Sequence, residues 1–365
     1  MDLSLTDDEQ LLQTTVRSFV EREATTEVLV AMQETDLGTR PEWQRAMAEA
    51  GWLGAVLPPE VDGSGASMLE ASLICEELGR GPVPGPFLAS SVVGGLLLNA
   101  APPSDARDEI LVGIANGDVV VAPVLQAPGA DWNGIGPLSL NGAFGFVPFV
   151  DAATHLVVPI EGSDGRMVDL AVIAVDASGV AHRLLGGFLA WNYEVTVSGD
   201  AMNSALILPG GEPRLFDDAL ARAYTLVAAY QIGGCQAVLD RSIEYSRTRT
   251  QFAQPIGRFQ RVQDHIVELL NALDAARWAN YEAIWHLDSG RFAGVSTHLA
   301  KAVASESYLT CTDFAHKVHG GMGVDPQYGL TLYTQMARSL YEFLGHPRWH
   351  RRRMFDALVP TAATV

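Results

Sequence analysis

The spacing of hydrophobic and polar positions divides the chain into three parts. In the first part, apolar side chains recur at helical intervals, and Thr6 and Glu9 form a capping-box pair typical of a helix start. Between Val119 and Val197, short β-branched runs are separated by Gly, Asp and Pro turns, which is typical of a β domain. Helical spacing returns near Phe216 and continues toward the C-terminus. We predict an N-terminal helical domain over 1–118, a middle antiparallel β domain over 119–212 and a C-terminal helical bundle over 213–365.

Glycine positions and β-branched runs predict individual elements. An apolar helical pattern covers Ser67–Leu78, and Gly79 is predicted to end that helix as its C-cap. The runs predicted as strands are Val119–Ala122, Leu138–Leu140, Thr154–Val158, Leu170–Val175 and Tyr193–Val197.

Composition and charge exclude several classes of function. The chain has 365 residues, 48% hydrophobic and 18% charged, with a formal net charge of -19. Such an acidic body does not attract nucleic acid or an anionic membrane surface, so we expect neither as a partner. The three cysteines, Cys75, Cys235 and Cys311, show no paired spacing, and no metal site is indicated. No apolar run reaches the roughly 20 residues of a membrane span, and the N-terminus is acidic. These features predict a cytoplasmic location.

One short segment opposes the global charge. Between Arg241 and Arg261 the chain carries five arginines and a single acidic residue, Glu244. The local field therefore favours a bound anion.

Two sequence motifs, together with the order of the domains, resemble the acyl-CoA dehydrogenase family. The first motif is Tyr245-Ser-Arg-Thr-Arg249-Thr-Gln-Phe252-Ala-Gln-Pro-Ile256, followed by the pair Phe259-Gln260. The second is Lys317-Val-His319-Gly320-Gly321-Met-Gly323. The resemblance extends over nearly the whole chain and implies the α+β multidomain fold of that family.

The resemblance implies FAD as the cofactor. In that family these two motifs hold the ADP part of FAD, usually across a subunit interface. Arg249 offers a planar fork of donors to a pyrophosphate, and Gly320-Gly321 removes side chains where backbone approaches a nucleotide. The cofactor-binding residues implied here are Arg249, Phe252, Phe259, Gln260, Lys317, Gly320, Gly321 and Gly323. Ala253 and Lys317 depart from the family's glycine and glutamine at those positions.

The catalytic base of the family is missing from its usual place. Family members remove the α-proton of an acyl-CoA with a glutamate, often placed directly before a glycine that aligns with Gly345, and here that position is Leu344. A leucine cannot accept a proton. Other members place the base at or beside Ala223, where no carboxylate is close, and Tyr224 stands where an arginine is expected. Glu342 is left as a displaced alternative.

The part of the family pattern that contacts the flavin ring is also altered. The usual loop with threonine, glutamate and serine is replaced by Ala122–Asp131, which has none of these residue types. The later contact aligns with Phe146-Val147-Pro148, and a proline offers no amide donor.

The pattern favours a subunit that shares its flavin site. Some bacterial acyl-CoA dehydrogenases are heterotetramers of two homologous subunits, and this chain resembles the one without the base. We predict α,β-desaturation of an acyl-CoA in an α2β2 complex, where the partner's glutamate takes the α-proton and the β-hydride goes to flavin. Two alternatives stay open: a self-sufficient homo-oligomer with Glu342 as the base, and a flavin-free structural subunit.

A basic run near the C-terminus, Arg348–Arg353, permits two interpretations. It contacts FAD phosphates, CoA phosphates or a partner, or it is a solvated helix end.

Overall fold

Helices form both ends of the chain, and the strands lie between them. The structure is a computed structural model that describes residues 4–33, 35, 38–126, 134, 137–162, 167–185 and 191–359. The N-terminal helices are α1 (Asp7–Glu23), α2 (Thr26–Met32), α3 (Pro41–Glu49), α4 (Met68–Arg80), α5 (Gly95–Ala100) and α6 (Asp105–Asn116). A π-helical segment, Leu88–Gly94, leads directly into α5.

The predicted capping box at the start of α1 is confirmed. The hydroxyl of Thr6 accepts a hydrogen bond from the backbone N–H of Glu9 at 3.3 Å, and the Glu9 carboxylate accepts from the Thr6 N–H at 2.7 Å. Both bonds satisfy N–H groups that have no partner within the helix.

The predicted end of α4 at Gly79 is wrong. The helix continues to Arg80, and Gly79 lies in its last turn. A Cβ on Gly79 would lie 1.9 Å from the carbonyl oxygen of Tyr230. Gly79 therefore allows two helices to approach each other closely, and it does not cap α4.

The strands form two larger sheets and a short hairpin. The strands are β1 (Val121–Pro123), β2 (Gly142–Pro148), β3 (His155–Glu161), β4 (Val168–Ala174), β5 (Val180–Leu184), β6 (Asn192–Val197), β7 (Leu206–Gly211), β8 (Thr250–Gln251) and β9 (Gln254–Pro255). The sheet orders are β1-β3-β4-β7 and β2-β6-β5. All pairs are antiparallel, as predicted, except β1 with β3, which is parallel. The predicted strand Leu138–Leu140 is wrong, because the strand of this region begins at Gly142.

Long helices dominate the C-terminal part. They are α8 (Pro213–Thr248), α9 (Gln260–Asp288), α10 (Gly294–His319), α11 (Leu330–Tyr341) and α12 (Pro347–Leu358), and a short helix α7 (Gly199–Asn203) precedes them. In α10, small and apolar side chains such as Ala300, Ala304 and Cys311 are fully inaccessible.

The chain forms two compact units. The first consists of 1–34, 68–83 and 224–365, and the second of 35–67 and 84–223. The first unit is helical, and the second contains the two larger sheets. The boundaries predicted at 118 and 212 stay a prediction.

Two searches of the described residues gave negative findings. No helix there is long and apolar enough to cross a membrane. In the same part of the chain, no group of His, Cys, Asp or Glu has the arrangement of a metal site.

Candidate functional site

Arg249 lies at the exposed end of α8. Its backbone N–H donates to the Tyr245 carbonyl at 2.8 Å, and its carbonyl accepts from the N–H of Ile256 at 2.9 Å. The chain between them is the β8–β9 hairpin. Within the described residues the Arg249 guanidinium has no ion-pair partner, so its donors remain available to an anion.

The hairpin turn presents an aromatic ring to solvent. Phe252 is 88% exposed, and its ring meets that of Phe259 edge-on, with centroids 6.0 Å apart. Phe252 and Ala253 have φ angles of 51° and 62°, a left-handed conformation that costs a non-glycine residue free energy. Gln260, predicted to bind the cofactor, is exposed as the first residue of α9.

The second motif forms an open turn at the end of α10. α10 ends at His319, and Gly320–Val324 continue as a 3-10 turn. A Cβ on Gly320 or Gly321 would meet no atom within 4 Å, whereas one on Gly323 would lie 3.0 Å from Nδ1 of His316. Gly320 needs its glycine for a φ of 57°. Among the described residues, no atom lies where a Cβ of residue 321 would be, so the backbone of Gly321 is open to a ligand.

The fold brings the two motifs together. The ring of Tyr245, one helical turn before Arg249, stacks on the ring of His319 with centroids 4.5 Å apart and planes inclined by 26°. Lys317 is exposed on the last turn of α10, with Nζ 4.0 Å from the ring centroid of Phe314. This arrangement places guanidinium, ammonium and bare glycine backbone on one helical unit, which is a donor set suited to a pyrophosphate.

The predicted base position holds a buried hydrocarbon. Leu344 is 3% exposed and has a φ of 60°, and Gly345 follows with a φ of 116°. Glu342, the displaced alternative, is exposed at the end of α11. The ring of Tyr224 lies 4.8 Å from that of His350, whose Nε2–H donates to the Leu344 carbonyl at 3.1 Å. The C-terminal base position and Tyr224 therefore meet at His350.

A buried histidine pair lies beside this position, and sequence spacing did not reveal it. Nδ1 of His298 and Nδ1 of His350 are 2.8 Å apart. Because His350 donates through Nε2, its Nδ1 accepts, and His298 must donate from Nδ1. Burial lowers the pKa of His298 to about 4 and that of His350 to about 2. Both rings are neutral at physiological pH. Because the two histidines lie far apart in the sequence, no spacing pattern indicated that they form a pair.

The segments aligned with the flavin-ring contacts are described in part. In β2, Phe146 is 61% exposed with a φ of 55°, and Pro148 lies opposite Asn192 of β6. Pro148 has no N–H to donate, as the sequence indicated. Of the segment Ala122–Asp131, the residues from 127 onward lie outside the described residues.

The basic run near the C-terminus is partly used within the fold. Arg348–Arg353 lie in α12, where His350 is fully buried. Nη1 of Arg351 donates to the Glu306 carboxylate at 2.6 Å, and the guanidinium of Arg353 lies over the ring of Trp349. At these positions the run stabilises α12 on α10. Arg348 is exposed, and a phosphate contact of the run stays a prediction.

Comparison with known proteins identifies the family. Residues 6–118 match the N-terminal domain of acyl-CoA dehydrogenases, and residues 214–358 match their C-terminal domain. The chain belongs to the acyl-CoA dehydrogenase family. This confirms the predicted family and fold, and FAD, the cofactor of this family of oxidoreductases, is confirmed with them.

Several proteins are similar to this chain over nearly its full length. Acyl-CoA dehydrogenase IpdE2 of Mycolicibacterium smegmatis is 28% identical over 353 residues, which is 96% of this chain and 98% of that protein. A chain of the ChsE4–ChsE5 complex from Mycobacterium tuberculosis has a TM-score of 0.89 at 24% identity and covers 100% of both chains. A chain of a variant Tcur3481–Tcur3483 steroid ACAD has a TM-score of 0.87 at 25% identity, with 98% of this chain and 99% of that chain covered.

Proposed function

We propose that this chain is a subunit of a heteromeric, flavin-dependent acyl-CoA dehydrogenase that desaturates an acyl-CoA between its α and β carbons. Its part is to hold the ADP portion of FAD, and a homologous partner subunit supplies the catalytic base. The observation that carries this proposal is Leu344, a buried hydrocarbon at the base position. Ala223, the other family position, is also a hydrocarbon and is 1% exposed. These two hydrocarbons support a base supplied by a carboxylate of another chain over the displaced alternative Glu342, which is exposed.

The chain's own residues fit the ADP portion of FAD. Arg249 would donate its fork of N–H groups to the pyrophosphate, and Lys317 would add a point charge. The backbone at Gly320 and Gly321 would face the nucleotide, since no described residue lies within 4 Å of a Cβ built at either position. Phe252, Phe259 and Gln260 would line the same face. When bound, FAD supplies the acceptor for the β-hydride.

The surface around these residues favours a protein partner. Phe252 is 88% exposed, and Val324 and Met322, next to the glycine turn, are 65% and 47% exposed. Exposed apolar side chains clustered around polar groups are typical of a protein interface. Solved structures similar to this chain include components of two complexes that carry paired names, ChsE4–ChsE5 and Tcur3481–Tcur3483. An α2β2 assembly with a homologous subunit accounts for both observations.

Counting flavins in the purified assembly tests the proposal. The chain is co-expressed with a homologous acyl-CoA dehydrogenase chain that carries the glutamate, and bound FAD is measured against each chain. One FAD per unlike pair is the expected result. One FAD per chain, together with turnover by the chain alone, would instead establish the self-sufficient homo-oligomer. An assembly without flavin would establish a structural subunit.

Gly321→Val tests the cofactor face without disturbing the fold. A Cβ at Gly321 meets no atom of the described residues within 4 Å, so we expect the melting temperature to change little. FAD retention by the assembly should fall sharply, because the side chain fills the space next to the nucleotide. Gly199→Val is the matched control, since a Cβ there also meets nothing within 4 Å. Full flavin content in the Gly321→Val assembly would refute the placement of the nucleotide at this turn.

A further inference from the structure

Aromatic rings hold both flanks of the glycine turn against the end of α8. His319, directly before the turn, stacks on Tyr245 at 4.5 Å between centroids. Tyr328, which follows the turn, meets Tyr245 at 6.2 Å and His319 at 5.4 Å. Each ring of this set of three therefore contacts the other two. We call Tyr245, His319 and Tyr328 the aromatic joint.

The aromatic joint sits between the two parts of the proposed cofactor face. The Arg249 backbone N–H donates to the Tyr245 carbonyl at 2.8 Å, so the position of Arg249 follows that of Tyr245. His319 is bonded in sequence to Gly320, so the glycine turn follows the position of its ring. The Tyr245–His319 stack is thus a direct link between the arginine and the open backbone.

Polar contacts fix the joint in one arrangement. Nδ1–H of His319 donates to the Ala315 carbonyl at 2.8 Å, and an Nη of Arg241 donates to the Tyr328 carbonyl at 2.7 Å. The Arg241 guanidinium also lies over the Tyr328 ring, 5.4 Å from its centroid. These bonds hold the rings from both α10 and α8.

The His319 ring enters the stack as a neutral imidazole. Burial lowers its pKa, and the neighbouring charges of Arg241 and, to a smaller degree, His316 act in the same direction. The ring is 3% exposed, and its Nε2 is buried without a hydrogen-bond partner among the described residues. Burial raises the pKa of Tyr328, the other ring that faces His319. Offset stacking on a neutral imidazole is favourable.

We propose that His319 and its ring partners are positioning residues that set the spacing between Arg249 and the Gly320-Gly321 backbone. This inference rests on the proposed function, because that spacing matters only if both parts contact one pyrophosphate-bearing ligand. The joint itself does not touch the ligand; it acts by holding the groups that do. Charged forks and backbone amides bind a diphosphate well only when both meet it in one geometry.

Titration of the isolated full-length chain with ADP tests this inference. ADP carries the adenosine and diphosphate that the face would hold, and its binding is followed by ligand-observed NMR. His319→Leu removes the ring at similar volume, and His319→Phe keeps it. We expect the Kd for ADP to rise about threefold to tenfold in His319→Leu, the range that an aromatic pair supplies. His319→Phe gives up the Nδ1–H bond to the Ala315 carbonyl but keeps the stack, so its Kd should stay within about twofold of that of the unaltered chain.

Further variants separate positioning from folding. Arg249→Gln removes a direct contact and should lose ADP binding, and Tyr328→Leu repeats the loss of a ring at a less buried site. A double variant, Tyr245→Leu with His319→Leu, should bind ADP no more weakly than either single variant, because both remove the same stack. Melting temperatures are measured for all of them, and a Kd change confined to variants with lowered melting temperature would reduce the joint to a structural role.

The outcomes distinguish this inference from the function on which it rests. If the unaltered chain binds no ADP, the proposed function and the inference both fail. If ADP binds, and Arg249→Gln abolishes binding but His319→Leu does not alter it, the cofactor face stands and the positioning role is overturned.

Discussion

Lys301 is the most strongly perturbed cation of the helical unit. Its side chain is fully buried in α10, and Nζ donates to the Ser305 hydroxyl at 2.8 Å and to the Leu340 carbonyl at 3.3 Å. No carboxylate pairs with it in the described part of the chain. Burial lowers its pKa from 10.5 to about 7. We predict that near neutral pH this lysine is protonated in only about half of the folded molecules.

The shift has a defined consequence for stability. Between the folded pKa and the unfolded value of 10.5, the unfolded chain binds one more proton at Lys301 than the folded chain. The unfolding free energy therefore rises with pH, by up to about 1.4 kcal/mol per pH unit. Near pH 7 the folded chain also holds part of this proton, so the slope is smaller there. From pH 7 to pH 9 the expected gain in unfolding free energy is about 2 kcal/mol. Buried thiols such as Cys75 have raised pKa values and act in the opposite direction at higher pH. The effect must be read as a difference from a lysine-free variant.

Lys301→Met is that variant. Methionine has a similar length, and the amide nitrogen of Gln231 still donates to the Ser305 hydroxyl at 3.2 Å and to the Leu340 carbonyl at 3.3 Å. The Ser305 hydroxyl and the Leu340 carbonyl therefore still accept a hydrogen bond when Lys301 is replaced. Urea unfolding of both chains at pH 7, 8 and 9 should show the unaltered chain gaining about 2 kcal/mol on the variant. Lys317→Met, at an exposed lysine, is the control and should run parallel to the unaltered chain.

A spectroscopic measurement checks the same prediction directly. Lys301 and Lys317 are the only lysines of the sequence, so lysine labelled with 13C at Cε gives two signals. The signal that Lys301→Met removes should titrate near pH 7. If it titrates near 10.5 instead, or if the unfolding profiles of the chain and the variant are parallel, the burial argument is refuted.

Three further predictions concern the candidate site. Arg249→Gln should weaken FAD binding by the assembled complex about tenfold to a hundredfold, the range for a lost charge-assisted pair, while Arg45→Gln on α3 leaves it unchanged; equal flavin content in both would refute the role of Arg249. Ala253→Gly should raise the unfolding free energy by about 0.5–1 kcal/mol in urea, because glycine relieves the φ of 62°, and a loss of stability would contradict this. His298 and His350 should stay neutral down to about pH 5, so their 15N shifts should match at pH 5 and 7; proton uptake by either ring above pH 5 would contradict their burial.

Local sequence patterns predicted the elements whose signals are local. The Thr6 and Glu9 capping box needs only neighbouring residues, and it forms as predicted. Gly79 shows where local reasoning fails, since a helix-capping glycine and a glycine needed for helix contact look alike in sequence. Only the approach of Tyr230, which lies far along the chain, decides between them. The strand predicted at Leu138–Leu140 failed because a run of three residues carries too little information.

In the candidate site, too, only the features with a local sequence signal were predicted. Arg249 and the glycine turn were predicted from motifs because each motif is contiguous in sequence. Their contact through Tyr245 and His319 was not, because no spacing rule relates a helix end to a turn on another helix. The same holds for His298 and His350, which meet from two different helices.

The asymmetry between the two halves of the site argues for a shared flavin. At the base position the helical unit buries a hydrocarbon side chain, Leu344, whose carbonyl accepts a hydrogen bond from His350. At the cofactor face the helical unit instead leaves an apolar side chain and backbone groups exposed. A left-handed turn holds Phe252 almost fully in water, and at Gly321 no described residue lies within 4 Å of the position of a Cβ. The left-handed, exposed Phe252 costs the isolated chain free energy, which a molecule that covers the ring offsets. A self-sufficient enzyme needs the opposite distribution, with a carboxylate at the base position. The partner that covers Phe252 is therefore also expected to bring the carboxylate.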